Sequence, residues 1–342
     1  MKKLNWGIIG IGGIAQKFAE GFKETDNAKL LAIASKNFER LNNFKERFKL
    51  ENRYSFDNYD KLINCKDVDI IYIALPNAFH YEWIIRCIEN NKNVLVEKPA
   101  TINLEQIKNI ENLLLSKDIF FGEAFMYRYH PQTSILLEMI KNNEIGNLIS
   151  MESSFGTNIL TKKKLFFFNK KKRINKNNRL FNKQLGGGCI LDLGCYPSSL
   201  SILIASQISK IENINFRLSN IRKEIGETFV DVDSYVDINY ENDFIAKIGA
   251  SFKKNLGAES KIIGEKGIII LNNSWSGSKN LIKLRDNERQ VLDISFKKNI
   301  YSYQIQKISE NILKDINKPH YPGMTFKETL LNMRIIEDWL NA

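Results

Sequence analysis

Over the first 125 or so residues, short and nearly unbroken apolar runs alternate with stretches of helical periodicity. The runs predict strands at 4–9, 29–34, 68–75, 93–97 and 119–124. A strand covered on both faces has no polar side, which is why these segments lack an apolar–polar alternation. Between them the spacing predicts helices at 14–24, 37–48, 57–64, 80–90 and 103–116. In the last, Leu104, Ile107, Ile110 and Leu113 to Leu115 fall on one face. Strands alternating with helices predict a doubly wound parallel sheet.

After residue 125 the pattern changes. Longer strands are predicted at 148–155, 211–218, 229–240, 243–252, 267–271 and 281–295. Through 230–238 the apolar residues sit mainly on even positions and the acids on odd ones, and Phe244, Ala246, Ile248, Ala250 and Phe252 repeat the alternation. Such strands bury one face only, so an open and predominantly antiparallel sheet follows. Helices at 132–142, 189–205, 300–316 and 326–341 would cover the buried face, and Thr325 and Glu328 have capping-box spacing for the last. Asp231, Asp233 and Asp237 are placed on the uncovered face. The predicted fold class is therefore α/β, a parallel-sheet domain over 1–124 followed by an α+β domain over 125–342, whose last helix is free to pack back on the first.

A length of 342 residues agrees with two domains, because single cores stop growing near this size. Hydrophobic residues at 43% and charged residues at 26% exclude a disordered or fibrous chain. No run reaches the apolar length of a membrane span, and the apolar run before Gly10 is too short for a secretory leader. Cys65, Cys87, Cys189 and Cys195 have neither CxxC spacing nor the density of a disulfide scaffold. A reduced cytoplasmic protein is expected. The net charge of +11 suggests a polyanion partner until it is located: residues 162–183 hold ten Lys or Arg and no acid, and removing those ten leaves +1. With no RNA- or DNA-binding motif in that segment, neither nucleic acid nor membrane is expected as a partner.

The first strand runs into Gly10-Ile11-Gly12-Gly13-Ile14-Ala15, which opens the first helix. Glycines there permit a tight turn and close approach of a pyrophosphate, and the helix N-terminus supplies amides and positive dipole. At the end of the second strand an NAD site places an acid for the ribose 2′-hydroxyl. This chain has Ala34-Ser35-Lys36-Asn37 and then Arg40. A hydroxyl and two cations suit a 2′-phosphate, which predicts NADP(H) as cofactor over NAD(H), with NAD as the alternative. No His/Cys cluster has metal-ligand spacing, so no metal is expected.

Glu97-Lys98-Pro99 after the fifth strand, together with the nucleotide turn, resembles the Gfo/Idh/MocA family of oxidoreductases. Further segments agree in order along the chain: Pro76-Asn77-Ala78-Phe79-His80, Glu123 to Pro131, Gly186 to Pro197, and Pro322-Gly323-Met324-Thr325. Two of them, 123–131 and 186–197, look like the branch that contains glucose–fructose oxidoreductase, xylose dehydrogenase and dimeric dihydrodiol dehydrogenase. The resemblance implies a Rossmann domain followed by an α+β domain. It also implies a sugar or sugar-derivative substrate and a homodimer or homotetramer formed through the open sheet. For the cofactor it implies contacts from Gly10, Ile11, Gly12, Gly13 and Ile14, from Leu75, Pro76, Asn77 and His80, and from Glu97, Lys98 and Arg128, beside Ser35, Lys36 and Arg40.

Moving a hydride to or from a carbinol carbon also requires a proton donor or acceptor tuned towards neutral pH. Asp192 and Tyr196 are four apart, one helical turn. A phenol near pKa ~10 becomes a useful base when a cation favours its phenolate, and Lys98 is the cation at hand. Tyr196 is thus expected to transfer the proton, Lys98 to activate it and hold a substrate hydroxyl, and Asp192 to orient the sugar or Lys98. Pro197 predicts an irregular helix at this point. The basic segment reads as a solvated loop, a dimer contact or a border of the site that attracts an anionic substrate. A nucleotide-sugar ketoreductase and a catalytically silent NADP-binding regulator are the alternative functions.

Overall fold

The computed structural model describes residues 2–164 and 168–342. The chain forms two compact units, Met1–His130 with Lys297–Phe326, and Pro131–Phe296 with Lys327–Ala342. In the first unit, strands β1 (Leu4–Ile9), β2 (Ala28–Ala34), β3 (Ser55–Phe56), β4 (Ile70–Ile73), β5 (Asn93–Val96) and β6 (Phe121–Glu123) alternate with helices. These helices are α1 (Gly13–Glu20), α2 (Phe38–Phe48), α3 (Tyr59–Ile63), α4 (His80–Glu89) and α5 (Leu104–Leu114). The strands lie in the order β3-β2-β1-β4-β5-β6 and every pair is parallel. That is the doubly wound arrangement with its switch point between β1 and β4, where the crevice outside the strand C-termini takes a ligand. The strands predicted at 68–75 and 119–124 are shorter, Ile70–Ile73 and Phe121–Glu123, trimmed at both ends.

The second unit begins with α6 (Pro131–Lys141) and β7 (Leu148–Gly156). The basic segment follows. Its strands β8 (Thr161–Lys164) and β9 (Phe168–Lys171) pair antiparallel as a separate hairpin where a loop is expected, and 165–167 lie outside the described residues. Next come α7 (Cys195–Ala205), β10 (Phe216–Ile225), β11 (Asp231–Tyr240), β12 (Ile245–Ser251), β13 (Ser260–Gly264), β14 (Gly267–Leu271), β15 (Asn280–Arg285) and β16 (Glu288–Asp293). Among the described residues the large sheet runs β10-β11-β12-β7-β13-β14-β15-β16, antiparallel except for the pair β12–β7. The strand predicted at 281–295 is a hairpin. Asp286 and Asn287 both have positive φ, the requirement of a two-residue turn matched to strand twist.

Helix α8 (Ile300–Leu313) belongs to the first unit, although the sequence assigns it to the second domain. Its Tyr301 ring meets Phe18 edge-on, Phe18 stacks on Tyr72 at 3.8 Å, and Trp6 Nε1 donates to Ser309 Oγ at 2.9 Å. The last helix, α9 (Phe326–Asn341), packs in the second unit. Its Trp339 is wholly buried, with Nε1 donating to Ser234 Oγ at 2.8 Å. The stretch Lys183–Ala205 is long and apolar enough to cross a membrane by length and composition, and nearly all of it is buried as the core helix of the second unit.

One expectation on the sheet is corrected. Tyr235 and Asp237 are half-buried on the polar face, but Asp231 and Asp233 are buried. A bulge in the β10–β11 pairing, between Glu224 and Ile225 opposite Asp233 and Asp231, breaks the strict alternation there. Asp233 accepts from Lys254 Nζ at 2.7 Å, and Asp231 accepts from the Ile190 amide at 2.6 Å.

Candidate active site

At the nucleotide turn, Gly10 has φ +87, and a side chain there would come within 2.6 Å of the Ala74 carbonyl oxygen. Its glycine is therefore a requirement of the fold itself. Gly12 and Gly13 are different: a Cβ at either would meet nothing within 4 Å. Gly12 is the N-cap of α1, no side chain caps the helix, and its first turn carries no acid. Open space beside uncapped amides is what a pyrophosphate needs, so these residues fit a dinucleotide. Ile11 and Ala15 are buried beneath the turn, with Ile14 partly buried and packed against the same core.

At the end of β2, Ser35 is buried and its Oγ accepts from the Asn37 amide at 3.1 Å. Asn37 in turn caps α2 by accepting from the Arg40 amide. These two local bonds turn the chain so that Lys36 and Arg40 are both exposed, Lys36 with its ammonium 5.4 Å from the centre of the Tyr59 ring.

The segment after β5 is held from several sides. Glu97 is buried and accepts from the Tyr72 hydroxyl, while its amide extends the ladder to Ile73. The Lys98–Pro99 peptide is cis. His80 Nδ1 lies 2.9 Å from the Pro99 carbonyl and Nε2 lies 2.8 Å from that of Leu75. The Ala100 amide donates to Glu123 Oε1 at 2.9 Å. Lys98, half-buried, therefore projects from a backbone fixed at Glu97, Pro99 and Ala100. His80 was assigned to the cofactor; being fully buried between two carbonyls, it ties the loop after β4 to the loop after β5. Leu75 and Pro76 are half-buried and Asn77 is buried in the turn leading to His80. Arg128, assigned as a cofactor cation, is also fully buried, and its Nη1 donates to the Pro322 carbonyl at 3.4 Å.

In the second unit, the helix expected over 189–205 starts as a π-helical turn over Ile190–Gly194 and continues as α7. The widened turn precedes Pro197, whose ring and missing amide disturb the regular ladder. It carries Asp192, and Tyr196 follows in the first turn of α7. Tyr196 is buried between two rings, edge-on to Phe155 at 5.4 Å and tilted against Trp275 at 5.4 Å. Arg179, from the end of the basic segment, donates from Nη1 to Asp192 Oδ1 at 3.0 Å. Backbone bonds from Gly187 to Asn182 and from Gly188 to Leu180 fold the 179–182 turn onto the glycine triplet and bring Arg179 there.

Arg179, Tyr72, Glu123, Phe155 and Trp275 were not singled out from the sequence. Only Glu123 lay within a motif. The others are isolated residues whose partners are distant in the chain. Among the described residues no group of three or more His, Cys, Asp or Glu converges as a metal site would require.

A model of an oxidoreductase family with an NAD-binding Rossmann fold matches residues 4–124, and the GFO/IDH/MocA C-terminal domain matches residues 135–270. Fold and matches together define an α/β oxidoreductase whose first domain binds a nicotinamide dinucleotide. The chain belongs to the Gfo/Idh/MocA family. It is similar to the trans-1,2-dihydrobenzene-1,2-diol dehydrogenase of Xenopus tropicalis, 23% identical over 343 residues that cover 98% of this chain and 96% of that one. In fold it resembles the aldose-aldose oxidoreductase of Caulobacter crescentus, with a TM-score of 0.84 and 18% identity, covering 100% and 97% of the two chains. A 3-ketoreductase from Actinomadura kijaniata, solved with NADP and TDP-benzene, gives 0.80 and 21%, covering 98% and 96%.

Proposed function

We propose that this protein transfers a hydride between NADP(H) and a carbinol or carbonyl carbon of a sugar or sugar derivative. The observation that carries the reading is the site chemistry kept within a family-matched fold. Lys98 stands on a loop fixed by His80 and Glu123, and Asp192 stands on the widened turn with Tyr196 in the first turn of α7 that continues it. The dinucleotide, when bound, accepts or supplies the hydride. The open space at Gly12 and Gly13 would receive its pyrophosphate, and Ser35, Lys36 and Arg40 would hold its 2′-phosphate. Tyr196 Oη takes the carbinol proton in oxidation and returns it in reduction. The Lys98 ammonium favours the phenolate and binds the substrate hydroxyl. Asp192, held through Oδ1 by Arg179, orients the sugar or the ammonium.

A nucleotide-sugar or sugar-phosphate substrate is the form of this reading that Arg179 favours, since it joins the basic segment to Asp192. The solved ketoreductase with TDP-benzene supports the same form.

Steady-state assay with aldoses, diols and keto-sugars tests the proposal. Tyr196→Phe and Lys98→Ala are each expected to lose about 10²-fold or more in kcat while still binding NADPH. Unchanged kcat in both would remove the assignment, and a tenfold preference of the wild type for NAD would remove that of NADP.

A further inference from the structure

The widened turn that carries Asp192 has no cap of its own. Cys189, in the N-cap position, makes no side-chain bond to the helix amides. The acceptor for the first amide comes instead from a strand 41 residues away in sequence, through the 2.6 Å bond from Ile190 to Asp231 Oδ2. Asp231 is 4% exposed, and the neighbouring Cys189 thiol donates to the Ala250 carbonyl at 3.3 Å. The fit to the glycine triplet is close. Gly188 has φ +117, and a Cβ there would come within 2.3 Å of Asp231 Oδ1. Gly188 also accepts, through its carbonyl, from the Asp192 amide at 3.1 Å. One buried carboxylate therefore contacts the residue that starts the turn and excludes a side chain from the residue that bonds to Asp192. The bulge that turns Asp231 out of the strand alternation is what brings it to this point.

We infer that Asp231 is a positioning residue for the reaction: its carboxylate caps the π-helical turn in trans and fixes the direction in which Asp192 and Tyr196 leave the helix. The inference rests on the role of Tyr196 proposed above. It explains two features together, the glycine at 188 and an acid at the start of β11 that is buried without a cation bonded to it among the described residues. Moving a proton-transferring group by about 1 Å can cost about 10²-fold in rate, so a lost cap reads out in kcat rather than in binding.

Asp231→Ala, Asp231→Asn and Tyr196→Phe, compared as full chains, supply the test, with kcat, KM for NADPH and amide hydrogen exchange over 188–194 measured on each. Asp231→Ala is expected to lose roughly 30- to 100-fold in kcat, leave KM for NADPH within about twofold, and exchange faster over 188–194. Asparagine keeps an acceptor oxygen, so Asp231→Asn is expected to return kcat to within about threefold of wild type with slow exchange restored. Tyr196→Phe is expected to lose activity with exchange unchanged. If Tyr196→Phe is inactive while Asp231→Ala keeps kcat within about twofold, the positioning role fails and the proton-transfer reading stands. If Tyr196→Phe keeps full kcat, both fail. Should Asp231→Ala not fold, Asp231→Asn decides alone: wild-type exchange and kcat within about threefold support the role, and a loss of more than about tenfold overturns it.

Discussion

Burial decides what several motif residues do. Arg128 and His130 stand in one motif, and of the two the sequence analysis names only Arg128, as a cofactor contact. In the structure each is inside the first unit, Arg128 against the Pro322 carbonyl and His130 edge-on to the Tyr303 ring at 5.9 Å. Burial pushes the His130 imidazole down from its ordinary 6.5 to about 4. A basic group whose folded pKa is depressed contributes stability that is fully present above its unfolded pKa and is lost as pH falls through the folded one. Wild type should therefore lose stability relative to His130→Gln between about pH 6.5 and 4, by at most about 3 kcal/mol. Thermal midpoints of the two proteins across that range check it, and parallel curves would show that the ring is not held neutral. Lys98, Asp192 and Tyr196 could be proposed from the sequence because a motif and a one-turn spacing mark them. Asp231 was not, since a strand acid looks the same whether it faces water or a buried amide.

Helix and strand positions were recovered from periodicity wherever one pattern held over a whole element, as in β1, β14 and α9, whose observed bounds match those predicted. Two of the failures share a physical cause, local turn chemistry that periodicity does not record, while the strand predicted at 211–218 lies at Phe216–Ile225 and β13 was not predicted. The Asp286-Asn287 turn divides one apolar stretch into two strands, and the π-helical turn before Pro197 replaces a regular start of α7. The strand–turn–helix unit at the nucleotide site gives the sharpest test at this scale, because its glycines are required for different reasons. Gly10→Ala forces a side chain to φ +87 and towards the Ala74 carbonyl, and is expected to destabilise the apoprotein by roughly 2 kcal/mol or more. Gly12→Ala meets no protein atom, so it should cost about 1 kcal/mol at most yet weaken dinucleotide binding tenfold or more. Thermal midpoints of the apoproteins and fluorescence titration with NADPH separate the two effects. Wild-type affinity in Gly12→Ala would mean that the space beside it is not the pyrophosphate site.

The charge of the molecule is not spread over it. Ten cations fall in 162–183, the rest of the chain is near neutrality, and one of the ten, Arg179, is bonded to Asp192. A solvated loop, a dimer contact and a substrate-attracting border have the same composition, so the sequence leaves all three open with the solvated loop as the plainest, and the Arg179–Asp192 bond is the observation behind the proposed border. A cluster of one sign near a site raises the local concentration of an oppositely charged substrate, by a factor that collapses as added salt shortens the screening distance from about 10 Å at 0.1 M. Lys170, Lys171 and Lys172 contribute to that field without belonging to the proposed catalytic group. Their joint replacement by glutamine should lower kcat/KM for a sugar phosphate or nucleotide sugar about three- to tenfold at low salt, chiefly through KM, and leave an uncharged aldose unchanged. In the wild type the same ratio should fall as salt is raised from 0.05 to about 0.5 M for the anionic substrate alone. If KM for the anion is unaltered in the triple variant, or both substrates respond to salt alike, the segment does not attract substrate. The preference for an anionic sugar would then rest on Arg179 by itself.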